Sequence, residues 1–198
     1  MDRNCVILCG GKSSRMGENK IFLPFGNTSL IIYQYKKLSN NFQNIFISSK
    51  NIYLDSIKSI FQKENINIEN KILIESDELY SPLFGIKNAF EILKKENIFF
   101  ISCDAPFIES RVIESILKNV RGYEITCVRD KNKIHPLIGS WNFKMKNKIE
   151  LALNQNHFRI TNLLKNAKSK ILYFDCEFLN INTREDYQKA LTLDRKNE

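Results

Sequence analysis

The chain reads as an α/β protein on a mainly parallel sheet with an antiparallel strand. Three observations predict this. Short β-rich apolar runs alternate with amphipathic stretches of helical period along the 198 residues. A glycine-rich loop, Leu8 to Lys20, comes directly after the first apolar run, Cys5-Val-Ile-Leu-Cys9. A single acid, Asp104, ends a second buried run, Ile98-Phe-Phe-Ile-Ser-Cys103, and Pro106 stops the extension.

Taken in order, the first strand spans 4–9 and a helix follows over 28–40. Asn44-Ile-Phe-Ile-Ser-Ser49 is the second strand, and 53–64 is helical. A strand at 71–75 precedes a helix at 83–95, then the strand 98–103 and a helix at 109–119. Strands at 123–129 and 134–141 are joined only by Asp130-Lys-Asn-Lys133, too short for a helix, so they pair antiparallel. Helices at 144–154 and 158–165, a strand at 171–174 and a helix at 183–193 complete the series, and Asp194 to Glu198 is read as a frayed end. No linker or repeat divides the chain, so residues 1–198 are read as one domain.

The loop Leu8-Cys-Gly-Gly-Lys-Ser-Ser-Arg-Met-Gly-Glu-Asn-Lys20 holds Gly10, Gly11 and Gly17, three of the chain's seven glycines, and the cations Lys12, Arg15 and Lys20. Glycines let a backbone turn sharply and aim its N–H groups at one spot, where nearby cations neutralise an anion. Such a loop after a strand suits phosphates. It is not a Walker A loop, because Glu18 follows Gly17, and G-x-G-x-x-G is absent. In parallel sheets the ligand lies beyond the carboxyl ends of the strands. That rule gathers this loop, Ser48-Ser-Lys-Asn51 and Asp104. A carboxylate there can hold Mg²⁺, which prefers one or two carboxylates and several waters. The structural use of the same acid is to cap a turn or the 109–119 helix.

Composition excludes several classes. No apolar run approaches the roughly 18 residues of a membrane span, and Met1-Asp-Arg-Asn4 enters a strand at once, unlike a signal peptide. Five scattered cysteines lack metal-ligand spacing and fit reduced thiols in a cytoplasm. The net charge is +8, but the cations are dispersed among acids with no basic tail. This argues against nucleic acid and leaves a solvated surface, or steering of polyanionic small molecules.

The pattern G-G-x-x-x-R-M-G-x-x-K, followed by Leu23-Pro-Phe-Gly26, resembles the signature of Rossmann-like nucleotidyltransferases. In detail it resembles the molybdenum cofactor guanylyltransferases (the MobA family), with Cys9 for a usual Ala and Asn19 for a usual Asp. Cys103-Asp-Ala-Pro106 is similar to the family's metal-ligand motif. Ser81-Pro-Leu-Phe-Gly-Ile86 is similar to its G-P-L-x-G-I base-pocket segment, with Ser81 for Gly. His135-Pro-Leu137 and Asn180-Ile-Asn-Thr-Arg-Glu-Asp186 match two further motifs.

The resemblance implies a three-layer α/β/α Rossmann-like nucleotidyltransferase fold, its N-terminal part for GTP and its C-terminal part for molybdopterin. It implies Arg15, Lys20 and Asp104 as catalytic, with Asp104 also the Mg²⁺ ligand. The nucleotide would be held by Leu8, Cys9, Gly10, Gly11, Lys20, Asn51, Asp77, Pro82, Leu83, Gly85 and Asp104. Molybdopterin would meet Arg159, Asn180 and Asn182. Asp77 is the candidate acid for guanine's N–H donors, with Glu75 the alternative. His135 and Arg159 stand open between structure and substrate contact, and Thr183 with Asp186 also spells a helix capping box. The implied reaction transfers GMP from GTP to (Mo-)molybdopterin with release of pyrophosphate. Molybdoenzymes or their chaperones are the recipients. A related transferase using CTP or a sugar phosphate, or a non-catalytic assembly protein, are the alternatives.

Overall fold

In the computed structural model the described residues are 3–11, 19–75 and 80–194. In chain order they form β1 (Asn4–Leu8), a hairpin of β2 (Pro24–Phe25) and β3 (Thr28–Ser29), α1 (Leu30–Leu38), β4 (Asn44–Lys50), α2 (Leu54–Lys63) and β5 (Ile72–Glu75). There follow α3 (Pro82–Leu93), β6 (Asn97–Ser102), α4 (Ser110–Lys118), β7 (Ile125–Arg129), β8 (Ile134–Asn142), α5 (Met145–Asn154), α6 (Ile160–Asn166), β9 (Ser169–Tyr173) and α7 (Arg184–Asp194).

Seven strands make one sheet in the order β5-β4-β1-β6-β8-β7-β9. β8 alone runs against its neighbours, antiparallel to both β6 and β7, while the other pairings are parallel. The short Asp130–Lys133 connection is the cause, since a parallel partner would have needed a long crossover. A register shift between Cys127 and Val128 marks a bulge opposite the start of β8.

Side-chain alternation splits the core into two layers. Cys5, Ile7, Phe99 and Ile101 face a cluster that includes Ile31 and Ile32 of α1, Phe61 of α2 and Val112 of α4. Val6, Leu8, Ile98 and Phe100 face the other, with Ile86 and Phe90 of α3, Ile149 of α5 and Leu163 of α6. This is the three-layer arrangement expected. A third, smaller cluster joins Phe25 and Leu30 to Leu179, Ile181 and Ala190, tying the C-terminal segment onto the hairpin.

The element boundaries differ in one informative place. The helix expected from 28 begins at Leu30, because Thr28 and Ser29 pair with Pro24 and Phe25. Gly26 turns this hairpin at φ +55°, a backbone glycine adopts without strain. The chain runs outward from β1 through β4 to β5, then returns to β6 on β1's other side. That reversal opens a crevice at the carboxyl ends of β1 and β6.

Candidate active site

A cavity of about 660 Å³ lies at this crevice, and Leu8, Gly10, Gly11, Lys20, Glu75 and Asp104 are on its walls. Two backbone bonds carry the pairing one residue past the strands: Cys9 N–H to Ser48 O at 2.8 Å and Cys103 N–H to Leu8 O at 3.1 Å. They bring Gly10 and Asp104 to the same edge. Asp104 is buried. It does not cap the following helix, whose N-cap is Glu109. Gln34, fully buried on α1, holds the turn that presents it by donating to Ser102 O at 3.0 Å and Ala105 O at 3.3 Å.

Lys20 sits in a single 3-10 turn, Lys20–Phe22, where Asn19 Oδ1 accepts from Ile21 N–H at 3.2 Å. Its ammonium reaches Asp104 Oδ2 at 2.6 Å and Ile181 O at 3.3 Å, with Asn182 Oδ1 at 3.5 Å. Burial lowers the lysine's pKa, but the charge and hydrogen bond of Asp104 together with the Cys103 and Cys9 thiols outweigh it, and the pKa lies above its ordinary value. The other carboxylate oxygen, Asp104 Oδ1, is buried without a hydrogen bond among the described residues. An orphaned carboxylate oxygen beside a cation suits a metal ion or a phosphate-bound cation.

Glu75 closes the wall at the end of β5. It is buried and accepts from Ser48 Oγ at 2.6 Å. A Cβ on Gly10 would lie 2.2 Å from Glu75 Oε2, and one on Gly85 would lie 2.7 Å from Oε1 and 2.8 Å from Ser48 Oγ. A side chain at either position would have to push the Glu75 carboxylate aside. Burial raises the Glu75 carboxyl above its ordinary range, with Ser48 and Lys50 opposing. Lys50, itself fully buried, has its ammonium 5.1 Å from the Tyr80 ring centre.

Tyr80, Ser81 and Pro82 bring the N-terminus of α3 to the same cavity. Ser81 is extended, with φ −147°, and its Oγ accepts from Leu83 N–H at 3.3 Å. A serine at this position thus serves as an N-cap, with Pro82 at the first helical position. Leu83 and Gly85 lie behind this surface in the core.

The far wall carries His135, Phe158, Arg159 and Asn180. Phe158 packs against Phe84 with ring centres 6.2 Å apart. Asn180 faces the cavity and Asn182 faces Lys20, while Ile181 between them is fully buried, as alternation along an extended segment dictates. Its main chain is tied down by Ile181 N–H to Asp104 O at 2.9 Å. The capping box also forms: Asp186 Oδ2 accepts from Asn182 and Thr183 N–H at 2.9 Å each, and Thr183 Oγ1 from Asp186 N–H at 3.1 Å.

Of the residues singled out in the sequence, Leu8, Gly10, Gly11, Lys20, Pro82, Asp104, Arg159 and Asn180 meet around one cavity. Cys9 is buried beneath it. Asn51 does not join them: it is exposed, in the 3-10 turn after β4, while Ser48, Ser49 and Lys50 point into the fold. Arg15 and Asp77 lie outside the described residues. Sequence reasoning missed Gln34 and Asp130. A polar residue in a helix, or in a short turn, has no motif to mark it.

A Rossmann-like sheet with a phosphate-suited loop after β1 and a lysine–aspartate pair at the switch crevice defines a nucleotide-handling α/β enzyme class. Within it, the chain belongs to the MobA-like NTP transferase domain family, whose model matches residues 5–169. It is 34% identical over 197 residues to a molybdenum cofactor guanylyltransferase of Helicobacter pylori strain G27, covering 96% of this chain and 92% of that one. It is 31% identical to the protein of the same name from Campylobacter jejuni strain RM1221, covering 94% of each. The fold superposes with TM-score 0.77 on the molybdopterin-guanine dinucleotide biosynthesis protein A of Archaeoglobus fulgidus, at 18% identity and over 98% of this chain and 99% of that one.

Proposed function

We propose that this enzyme transfers GMP from GTP to the terminal phosphate of (Mo-)molybdopterin, forming the guanine dinucleotide and releasing pyrophosphate. The observation that carries this reading is the Lys20–Asp104 pair at 2.6 Å beside Gly10 and Gly11, with Asp104 Oδ1 left without a partner among the described residues. The curated relatives' shared name supplies the substrates.

A phosphate oxygen of molybdopterin attacks the α-phosphorus of GTP, and the bond from that phosphorus to the bridging oxygen of the β-phosphate breaks. The attacking phosphate is already ionised near neutral pH, so the chain need not supply a base. The obstacle is repulsion between anions, and catalysis is mainly positioning and charge neutralisation. Lys20 carries a charge onto the triphosphate, with Arg15 as its proposed second cation. The amides of Gly10 and Gly11 take further oxygens.

Asp104 fits Mg²⁺: one buried carboxylate with a free oxygen matches an ion that otherwise keeps waters and phosphate oxygens. When bound, Mg²⁺ supplies Lewis-acid neutralisation of the phosphates. Glu75 at the cavity wall is the proposed acceptor for guanine's N–H groups, with Asp77 its alternative. Arg159, Asn180 and Asn182 are the proposed molybdopterin contacts.

The test is pyrophosphate release from GTP and molybdopterin with Mg²⁺. Robust release that collapses in Asp104→Asn supports the reading. Release from CTP instead of GTP, or none with any nucleotide, overturns it.

A further inference from the structure

Asp130, in the β7–β8 turn, has no part in the chemistry above, yet its buried carboxylate is among the most heavily bonded groups described. Oδ1 accepts from Asn132 N–H at 2.7 Å and Lys133 N–H at 2.8 Å. Oδ2 meets His135 Nε2 at 2.7 Å and accepts from Phe178 N–H at 3.4 Å. Burial pushes this carboxyl up, but those hydrogen bonds outweigh it and hold it well below the ordinary carboxylate range. Asp130 is thus a fixed anion, and an anion can only accept. His135 Nε2 must then carry the proton.

The consequence falls on the other ring nitrogen. His135 lines the cavity, and Nε2 makes its only hydrogen bond among the described residues. Its ring is wedged edge-on against Phe178, centres 5.1 Å apart. Burial lowers the imidazole's pKa against the opposing Asp130, which favours the neutral ring. A neutral ring with hydrogen on Nε2 has a bare acceptor at Nδ1. Asp130 also ties down the start of the 178–182 segment through Phe178 N–H, and that segment carries Asn180, whose Oδ1 is a second buried acceptor without a partner among the described residues.

We propose that Asp130 is a positioning residue for the second substrate: it locks His135 in the Nε2–H tautomer, so that Nδ1 accepts a hydrogen bond from an N–H of that substrate's heterocycle. This rests on the proposed function for the identity of the second substrate. It does not depend on the nucleotide half of the site. The dyad does no proton transfer. It sets the sense of a hydrogen bond, which rejects a ligand offering only acceptors there.

The test is long-range ¹H–¹⁵N NMR of the imidazoles in the full chain. The chain has two histidines, so His135→Phe identifies the His135 signals against His157. The expected result is a bare Nδ1 and a protonated Nε2 in the free protein. Saturating molybdopterin then moves the Nδ1 signal and GTP with Mg²⁺ does not. In Asp130→Asn the single tautomer is lost. In kinetics, His135→Phe raises KM for molybdopterin about tenfold, the size of one good hydrogen bond, and leaves nucleotide affinity unchanged. His135→Asn, which keeps an acceptor near the Nδ1 position, recovers part of it. A merely structural His135 would move stability without this KM split. A protonated Nδ1 in the free protein, or an Nδ1 signal unmoved by molybdopterin in protein that turns over, overturns the proposal. Protein that binds GTP but neither binds nor turns over molybdopterin overturns the functional reading, and the proposal with it.

Discussion

At the scale of single residues, the site is a balance of charges kept from water. Lys20 and Asp104 neutralise each other at 2.6 Å in a buried setting. Removing one leaves the other uncompensated, so conservative variants are the informative ones. Lys20→Gln and Asp104→Asn are each expected to lower turnover about a hundredfold or more while the circular dichroism spectrum stays native. Glu75 offers a second residue-scale test. Its folded carboxyl holds a proton more tightly than the ordinary value of 4.5, so the folded state binds more protons over that window. Stability must therefore fall as pH rises from about 4.5 through the raised value. Glu75→Gln removes this term. The variant should melt higher than the native chain at pH 8 and the gap should close by pH 4, as read from thermal melts across pH.

At the scale of elements, two helices support the site. α1 carries Gln34 beneath the Asp104 turn, and Gln34→Leu strands the buried Ala105 carbonyl and takes one of two donors from the Ser102 carbonyl, which keeps Ala105 N–H at 3.2 Å. A cost of about 2 kcal/mol or more is expected in urea unfolding, with a matching loss of turnover as the turn loosens. α3 starts at a serine cap, and Ser81→Ala should cost about 1 kcal/mol, measured the same way. The sequence was most legible here in its periodic parts. The alternation of apolar runs and amphipathic stretches foretold the principal sheet strands and the seven α-helices of the described residues, and a four-residue connection foretold the reversed strand β8. The β2–β3 hairpin escaped because two-residue strands have no period. Gln34 escaped because its partners Ser102 and Ala105 lie 68 and 71 residues away, and Asp130 because an acid in a short turn carries no motif even though His135 is five residues on. Asn51 was drawn in by its place after a strand, yet the buried edge there is formed by Ser48 to Lys50.

At the scale of the whole molecule, the order of the sheet makes the site. Running outward to β5 and back to β6 places Gly10, Glu75 and Asp104 at one crevice, although they are far apart in the chain. The C-terminal segment completes it by crossing back to Lys20 and Asp104. A net charge of +8 attracts polyanions to the molecule as a whole. Raising NaCl from 50 to 500 mM should therefore raise KM for the triphosphate several-fold with less effect on kcat, since the Debye length falls from about 14 Å to about 4 Å. At the centre of the proposed function, the Gly10–Gly11, Lys20 and Asp104 cluster binds guanosine triphosphate. Calorimetric titration of each nucleoside triphosphate, with and without Mg²⁺, tests it most directly. The account predicts tight binding of GTP alone, dependent on Mg²⁺ and lost in Asp104→Asn. Equal or tighter binding of CTP, or GTP binding indifferent to both Mg²⁺ and Asp104, would contradict it.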